Sequence, residues 1–158
     1  MKNISVRKAN ISDLKTIQRL NGELCARENR EFDETINAQY PFSKAGEEYF
    51  KLKIESSDSL TLVAEVEGII VGYLAGSIIA PEDYRTLTKM AEAENMFVEE
   101  SFRGQGVGTK LSEQFEDWCR GKGAQRIRHV ASAANSEAIK FYKAHGSKEV
   151  SVTLEKEL

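Results

Sequence analysis

Apolar and polar positions divide this chain into stretches with two different periods. Ile4-Ser5-Val6-Arg7 alternates like a strand. Asn10 or Ser12 then stands at a cap position before Leu14, Ile17, Leu20 and Leu24, which share one helical face. From Cys25 to Tyr40 that pattern breaks into charged and polar residues, a section expected to be variable and to face the substrate. Pro41 and a Ser43 cap open a second helix running to about Ser56. Residues 60–66 and 69–79 are rich in β-branched side chains and flank Glu67-Gly68, which predicts an antiparallel hairpin. After a loop at 81–85, a strand is expected over 91–98.

That strand is irregular. Strict alternation would put Glu92, Glu94, Met96 and Val98 on one face and Ala91, Ala93, Asn95 and Phe97 on the other, mixing polar and apolar side chains on both. A bulge near Met96 or Phe97 would re-aim the side chains and splay the strand from its neighbour. Downstream, Val107, Leu111, Phe115, Trp118 and Cys119 define a helix over 105–122, and residues 126–131 form a strand. Asn135 or Ser136 caps a helix that stops at Gly146, and a final strand is expected over 148–154. The order β, α, α, β, β, β, α, β, α, β predicts one α+β domain across residues 1–158, a three-layer α/β/α sandwich with a central mixed, mostly antiparallel sheet.

Composition narrows the function classes. The 158 residues are 41% hydrophobic and 30% charged with a net charge of −3, and no basic block offers the positive patch that nucleic-acid binding requires. No apolar run approaches a membrane span, and the stretch from Met1 to Arg7 lacks a signal-peptide core, so a cytoplasmic protein is expected. Cys25 and Cys119 show no metal-ligand spacing, and no metal is expected.

The chemistry concentrates between the irregular strand and the third helix. In Arg103-Gly104-Gln105-Gly106-Val107-Gly108-Thr109 alternate glycines let the backbone approach a ligand, and free amides at a helix start make a seat for phosphate. A dinucleotide fingerprint would need glycine where Thr109 stands, and a P-loop would need Gly-Lys followed by Ser or Thr. What remains fits [Q/R]-x-x-G-x-[G/A]. Together with the approach from Glu94 to Val98, and with Asn135, Ala138, Phe141-Tyr142 and Gly146 downstream, this segment resembles the GNAT superfamily of acyl-CoA-dependent N-acyltransferases.

The resemblance implies acetyl-CoA as co-substrate and a primary amine as acceptor, with direct transfer in a ternary complex. It assigns the pyrophosphate to Arg103, Gly104, Gln105, Gly106, Val107, Gly108 and Thr109, with Lys110 adding charge. It assigns the acetyl carbonyl and pantetheine to the amides of Phe97 and Val98, the CoA arm to Asn135 and protonation of the departing thiolate to Tyr142. Deprotonation of the amine falls to Glu94 through water, with Glu92 or water alone as alternatives. Family members carry Gly-Phe and two further strands at the end, whereas Ser147 follows Gly146 here, so the seventh strand is missing, short or supplied across a homodimer. Acidic residues, among them Glu28, Glu31, Glu82, Glu92 and Glu94, crowd the expected acceptor entrance and suit a cationic amine. Two rivals stand beside the enzyme: a catalytically silent CoA-binding regulatory module, and an interaction domain whose glycines only cap a helix. His129 and His145 are expected in surface or packing roles.

Overall fold

The alternating stretches become β1 (Ile4–Lys8), β2 (Ser59–Val66), β3 (Ile69–Ile79), β4 (Met90–Val98) and β5 (Arg126–His129). The helical stretches become α1 (Leu14–Glu31), α2 (Lys44–Glu55), α3 (Val107–Gly121) and α4 (Ser136–Ala144). The structure is a computed structural model that describes residues 3–158; Met1 and Lys2, part of the N-terminal stretch considered above, lie outside the described residues. The strands form one sheet in the order β1-β2-β3-β4-β5, antiparallel from β1 to β4 and parallel between β4 and β5. This is the expected α+β architecture, with helices on both faces of a mixed, mostly antiparallel sheet. No helix of the described residues is long and apolar enough to cross a membrane.

Each face of the sheet has its own core. Leu14, Ile17 and Leu20 of α1 and Phe50 and Ile54 of α2 pack on Val63, Tyr73, Ala75 and Phe97. On the other face Val107, Leu111, Phe115 and Cys119 of α3 cover Leu62, Ala64, Leu74, Ala91 and Ala93. Large fully buried anchors such as Phe50 and Phe115 each typically hold about 3–5 kcal/mol against truncation to alanine.

Three features differ from the pattern. The first helix does not break at Cys25 but continues to Glu31. Its last turns are rich in helix formers and carry the i,i+4 ion pair Arg27–Glu31 at 3.0 Å, so the loss of apolar periodicity marks a solvated face and not a helix end. Residues 148–154 form no strand: Val150, Val152 and Leu154 alternate but lie 67%, 79% and 89% exposed. Alternation needs a ladder partner, and among the described residues this segment has none. The third difference is the position of the bulge, which shapes the site.

Candidate active site

Ala75 pairs with Asn95 but Gly76 pairs with Ala93, so Glu94 is the extra residue in β4. The bulge thus lies two residues before the expected Met96. Side-chain parity changes across it: Ala91 and Ala93 pack under α3 before it, whereas Met96 and Val98 do so after it, and Phe97 turns to the α1/α2 core. This resolves the mixed faces of the sequence pattern.

β5 pairs with β4 only from Met90 to Ala93, so the two strands part at the bulge. The Glu99 amide donates to Val71 O at 2.9 Å, making that pair a hydrogen-bonded rung. Alternation then directs the Phe97 amide to Tyr73 and turns the amides of Met96 and Val98 toward the side β5 has left. The expectation for Phe97 is corrected on this point: its amide belongs to the ladder, and Met96 and Val98 hold the free donors. Arg103 Nε donates to Val98 O at 2.9 Å on that open side.

The opening leads into a cleft of about 520 Å³. Its walls are Leu24 and Arg27 of α1, Met96 to Val98 of β4, the glycine segment with the start of α3, and Asn135, Ala138, Phe141, Tyr142 and His145. Every expected pyrophosphate residue except Gln105 lines it; Gln105 Nε2 instead donates to Ser101 O at 2.8 Å. Gly104 and Gly106 adopt φ of 71° and 87°, where only glycine sits without strain, and a Cβ on either would meet open space. Gly106 is also the N-cap of α3 and supplies no side-chain bond, which leaves the first amides of the helix to a ligand. Lys110 Nζ donates to Ile4 O at 2.9 Å, so its charge is directed at β1 and not at the phosphate seat.

Asn135 serves as the α4 cap, accepting from the Ala138 amide at 3.1 Å through Oδ1, while its side-chain nitrogen has no partner among the described residues. Tyr142 stacks on His129 with ring centroids 4.2 Å apart. Burial first, and the charge of Glu28 second, push the Tyr142 phenol above its ordinary value, so it keeps its proton. Burial, then His145, pushes His129 below the usual imidazole value. His145 is more than surface packing: its ring bridges Phe141 O at 2.8 Å and Thr109 Oγ1 at 3.2 Å, tying the end of α4 to the start of α3. The only sequence signal for that role was its place beside Gly146.

The two expected bases are both engaged. Glu94 accepts from Tyr49 Oη at 2.6 Å and from Lys53 Nζ at 2.5 Å, and it does not line the cleft. The same polar network runs on through Tyr49, Asn95 and Asn21 to Tyr73, with contacts of 2.7 Å, 3.2 Å and 2.7 Å. It fastens the bulge to α1 and α2, and no local pattern announced it. Glu92 accepts from Arg128 Nε at 2.5 Å, and Arg128 also holds Glu82.

The family model for the acetyltransferase (GNAT) family matches residues 26–146. An uncharacterised N-acetyltransferase of Methanocaldococcus jannaschii is 31% identical over 106 residues, which is 66% of this chain and 46% of that protein, so the match spans about half its length. The BH1408 protein of Bacillus halodurans is similar in structure with a TM-score of 0.85 at 20% identity, over 98% of this chain and 99% of that one. The aminoglycoside N-acetyltransferase AAC(6')-Iy in complex with CoA superposes with a TM-score of 0.79 at 19% identity, covering 100% and 96% of the two chains. These two likenesses concern the fold. The parted β4 and β5, the glycine-opened α3 and the match over residues 26–146 converge, and the chain belongs to the acetyltransferase (GNAT) family.

Proposed function

We propose that this protein is an N-acetyltransferase that moves an acetyl group from acetyl-CoA to a primary amine by direct attack in a ternary complex. The observation that carries the reading is the cleft where β4 and β5 separate, with free backbone amides on one wall and the start of α3 on another. A structural neighbour with CoA bound supports the cofactor.

On this reading the pyrophosphate rests on amides from Gly104 to Thr109, with Arg103 as the nearby cation. The Val98 and Met96 amides face the thioester carbonyl, where fixed donors stabilise the oxyanion of the tetrahedral intermediate. Asn135 holds the pantetheine arm, and Tyr142, protonated throughout the working range, gives its proton to the departing thiolate. Phe97 contributes packing: its ring lies under the Arg103 guanidinium, 5.4 Å from the centroid.

Acetyl-CoA at a hundredfold excess over Kd should add about 2.7 kcal/mol of stability, read as a rise of several degrees in Tm. Thiol release with an amine then reports transfer. No shift at millimolar acetyl-CoA would refute the reading. The ion pairs that occupy Glu94 and Glu92 favour the silent module as a second reading, and a shift without thiol release on any amine would support it.

A further inference from the structure

Ion pairs occupy both carboxylates expected to take the proton of the amine, Glu94 and Glu92. One turn beyond the cleft-lining Leu24, and beside the cleft-lining Arg27, α1 carries a carboxylate at the margin of the cleft and outside its lining. Asn21, on the inner face of α1, donates to Tyr73 Oη at 2.7 Å and to Asn95 Oδ1 at 3.2 Å, which anchors the helix over the bulge. Cys25 Sγ bonds Asn21 Oδ1 at 3.5 Å, and Leu24 lines the cleft. Glu28 follows Leu24 by four residues and Asn21 by seven, so it stands one turn further along the same face. Next to it Arg27 reaches across to Glu137 on α4 at 2.7 Å, holding α1 against the helix that carries Tyr142.

Glu28 is half-buried, and its carboxylate has no hydrogen bond or ion pair among the described residues. Its charge acts on phenols from two other elements, Tyr73 of β3 and Tyr142 of α4, and on the Cys25 thiol of its own helix. Among the described residues Arg27 is the one cation that offsets it, and Arg27 is already shared between Glu31 and Glu137. A half-buried carboxylate without a dedicated counter-ion is costly to the fold, and a cationic ligand completes it.

We propose that Glu28 receives the acceptor amine: its carboxylate pairs with the ammonium and takes the proton that frees the nitrogen lone pair. This rests on the acetyl-transfer reading above. The nitrogen then bonds to the thioester carbonyl carbon, collapse breaks the carbon–sulfur bond, and the sulfur takes a proton from Tyr142. Of the two protons the nitrogen sheds, one reaches solvent from Glu28 and the other replaces that of Tyr142. Burial raises the Glu28 carboxyl above the usual carboxylate range, with Arg27 opposing, which brings it closer to the pH at which a base is useful.

The test compares wild type, Glu28→Gln and Glu94→Gln with three probes: spermidine, sisomicin and a peptide with a free N-terminus. Glu28→Gln should leave the acetyl-CoA shift in Tm unchanged and lower kcat/KM on the active probe by about a hundredfold or more. It should raise KM and flatten the acidic limb of the pH profile, while Glu94→Gln keeps that limb and loses stability. If none of the probes turns over, each at 10 mM should raise Tm of the wild-type acetyl-CoA complex but not that of Glu28→Gln for at least one of them. Equal kcat/KM and pH profiles in wild type and Glu28→Gln, or no amine-dependent shift in an inactive wild type, overturn the proposal. Absence of an acetyl-CoA shift in wild type instead fells the acetyl-transfer reading itself.

Discussion

At the scale of single residues, the cleft separates groups that hold cofactor from groups that move protons, and substitutions should separate them too. Tyr142→Phe keeps the stacking surface on His129 and removes only the hydroxyl, so kcat should fall by about a hundredfold while acetyl-CoA affinity stays within twofold. Steady-state kinetics beside a binding titration checks this, and undiminished kcat would return Tyr142 to a packing role. Gly106→Asp acts at the other end: it places a like charge in the phosphate seat and a side chain at φ 87°, and it should abolish acetyl-CoA binding in a calorimetric titration. The residues legible in the sequence are those whose role is local. Gly104, Gly106 and Asn135 are recognisable because left-handed turns and caps are written within a few positions. Glu94 was legible as a carboxylate beside a bulge, but its partners Tyr49 and Lys53 lie 45 and 41 residues away, and nothing nearby indicates that they close on it.

Among the elements, β4 organises the site, and its bulge depends on its neighbours. Gly76 sits opposite Ala93, just before the register slips, and a Cβ there would fall against the Glu92 carbonyl oxygen and the Phe115 ring. Glycine at this position lets α3 settle onto β3 and β4. Gly76→Ala should therefore cost about 1–3 kcal/mol in chemical unfolding, since a packed core must shift to admit it. Lys53→Met tests the support from α2: it leaves Glu94 a part-buried carboxylate without its cation, and should destabilise by about 1–3 kcal/mol with acetyl-CoA affinity unchanged. If either variant unfolds like wild type, the bulge is held by something other than these contacts. Strand and helix periods revealed most elements, because each face buries a separate core. They misplaced the end of α1, where polar ion pairs carry the helix on, and they made a strand of residues 148–154, where alternation has no edge to join. They also placed the bulge late, because a register slip is decided by pairing between strands and not by either strand alone.

For the molecule as a whole, acidification pulls stability in opposite directions. The Arg7 guanidinium holds the Asp13 carboxyl below its usual value, so that contribution is present above about pH 4 and is lost as pH falls through the folded value. Burial depresses His129 in the same sense, but from an unfolded value near 6.5, so its contribution is the first to be lost on acidification. Glu28 has the reverse sign. Its carboxyl is raised by burial, so the folded state takes up a proton before the unfolded chain does, and stability is gained as pH falls toward the unfolded value near 4.3. Between the two unfolded values, about pH 6.5 and about pH 4.3, the two effects oppose each other in wild type. Glu28→Gln removes one of them, so its Tm should equal or exceed that of wild type at pH 7.5 and decline more steeply as pH falls from about 6.5 toward about 4.3. His129→Asn removes the other, and its Tm should decline less than that of wild type, or rise. Calorimetric melts of the three proteins across that range, without ligand, check the signs independently of any activity. Parallel Tm curves for wild type and Glu28→Gln would mean that the Glu28 carboxylate is as well solvated in the fold as in the unfolded chain, and would remove the electrostatic reason for a cationic amine to seek it.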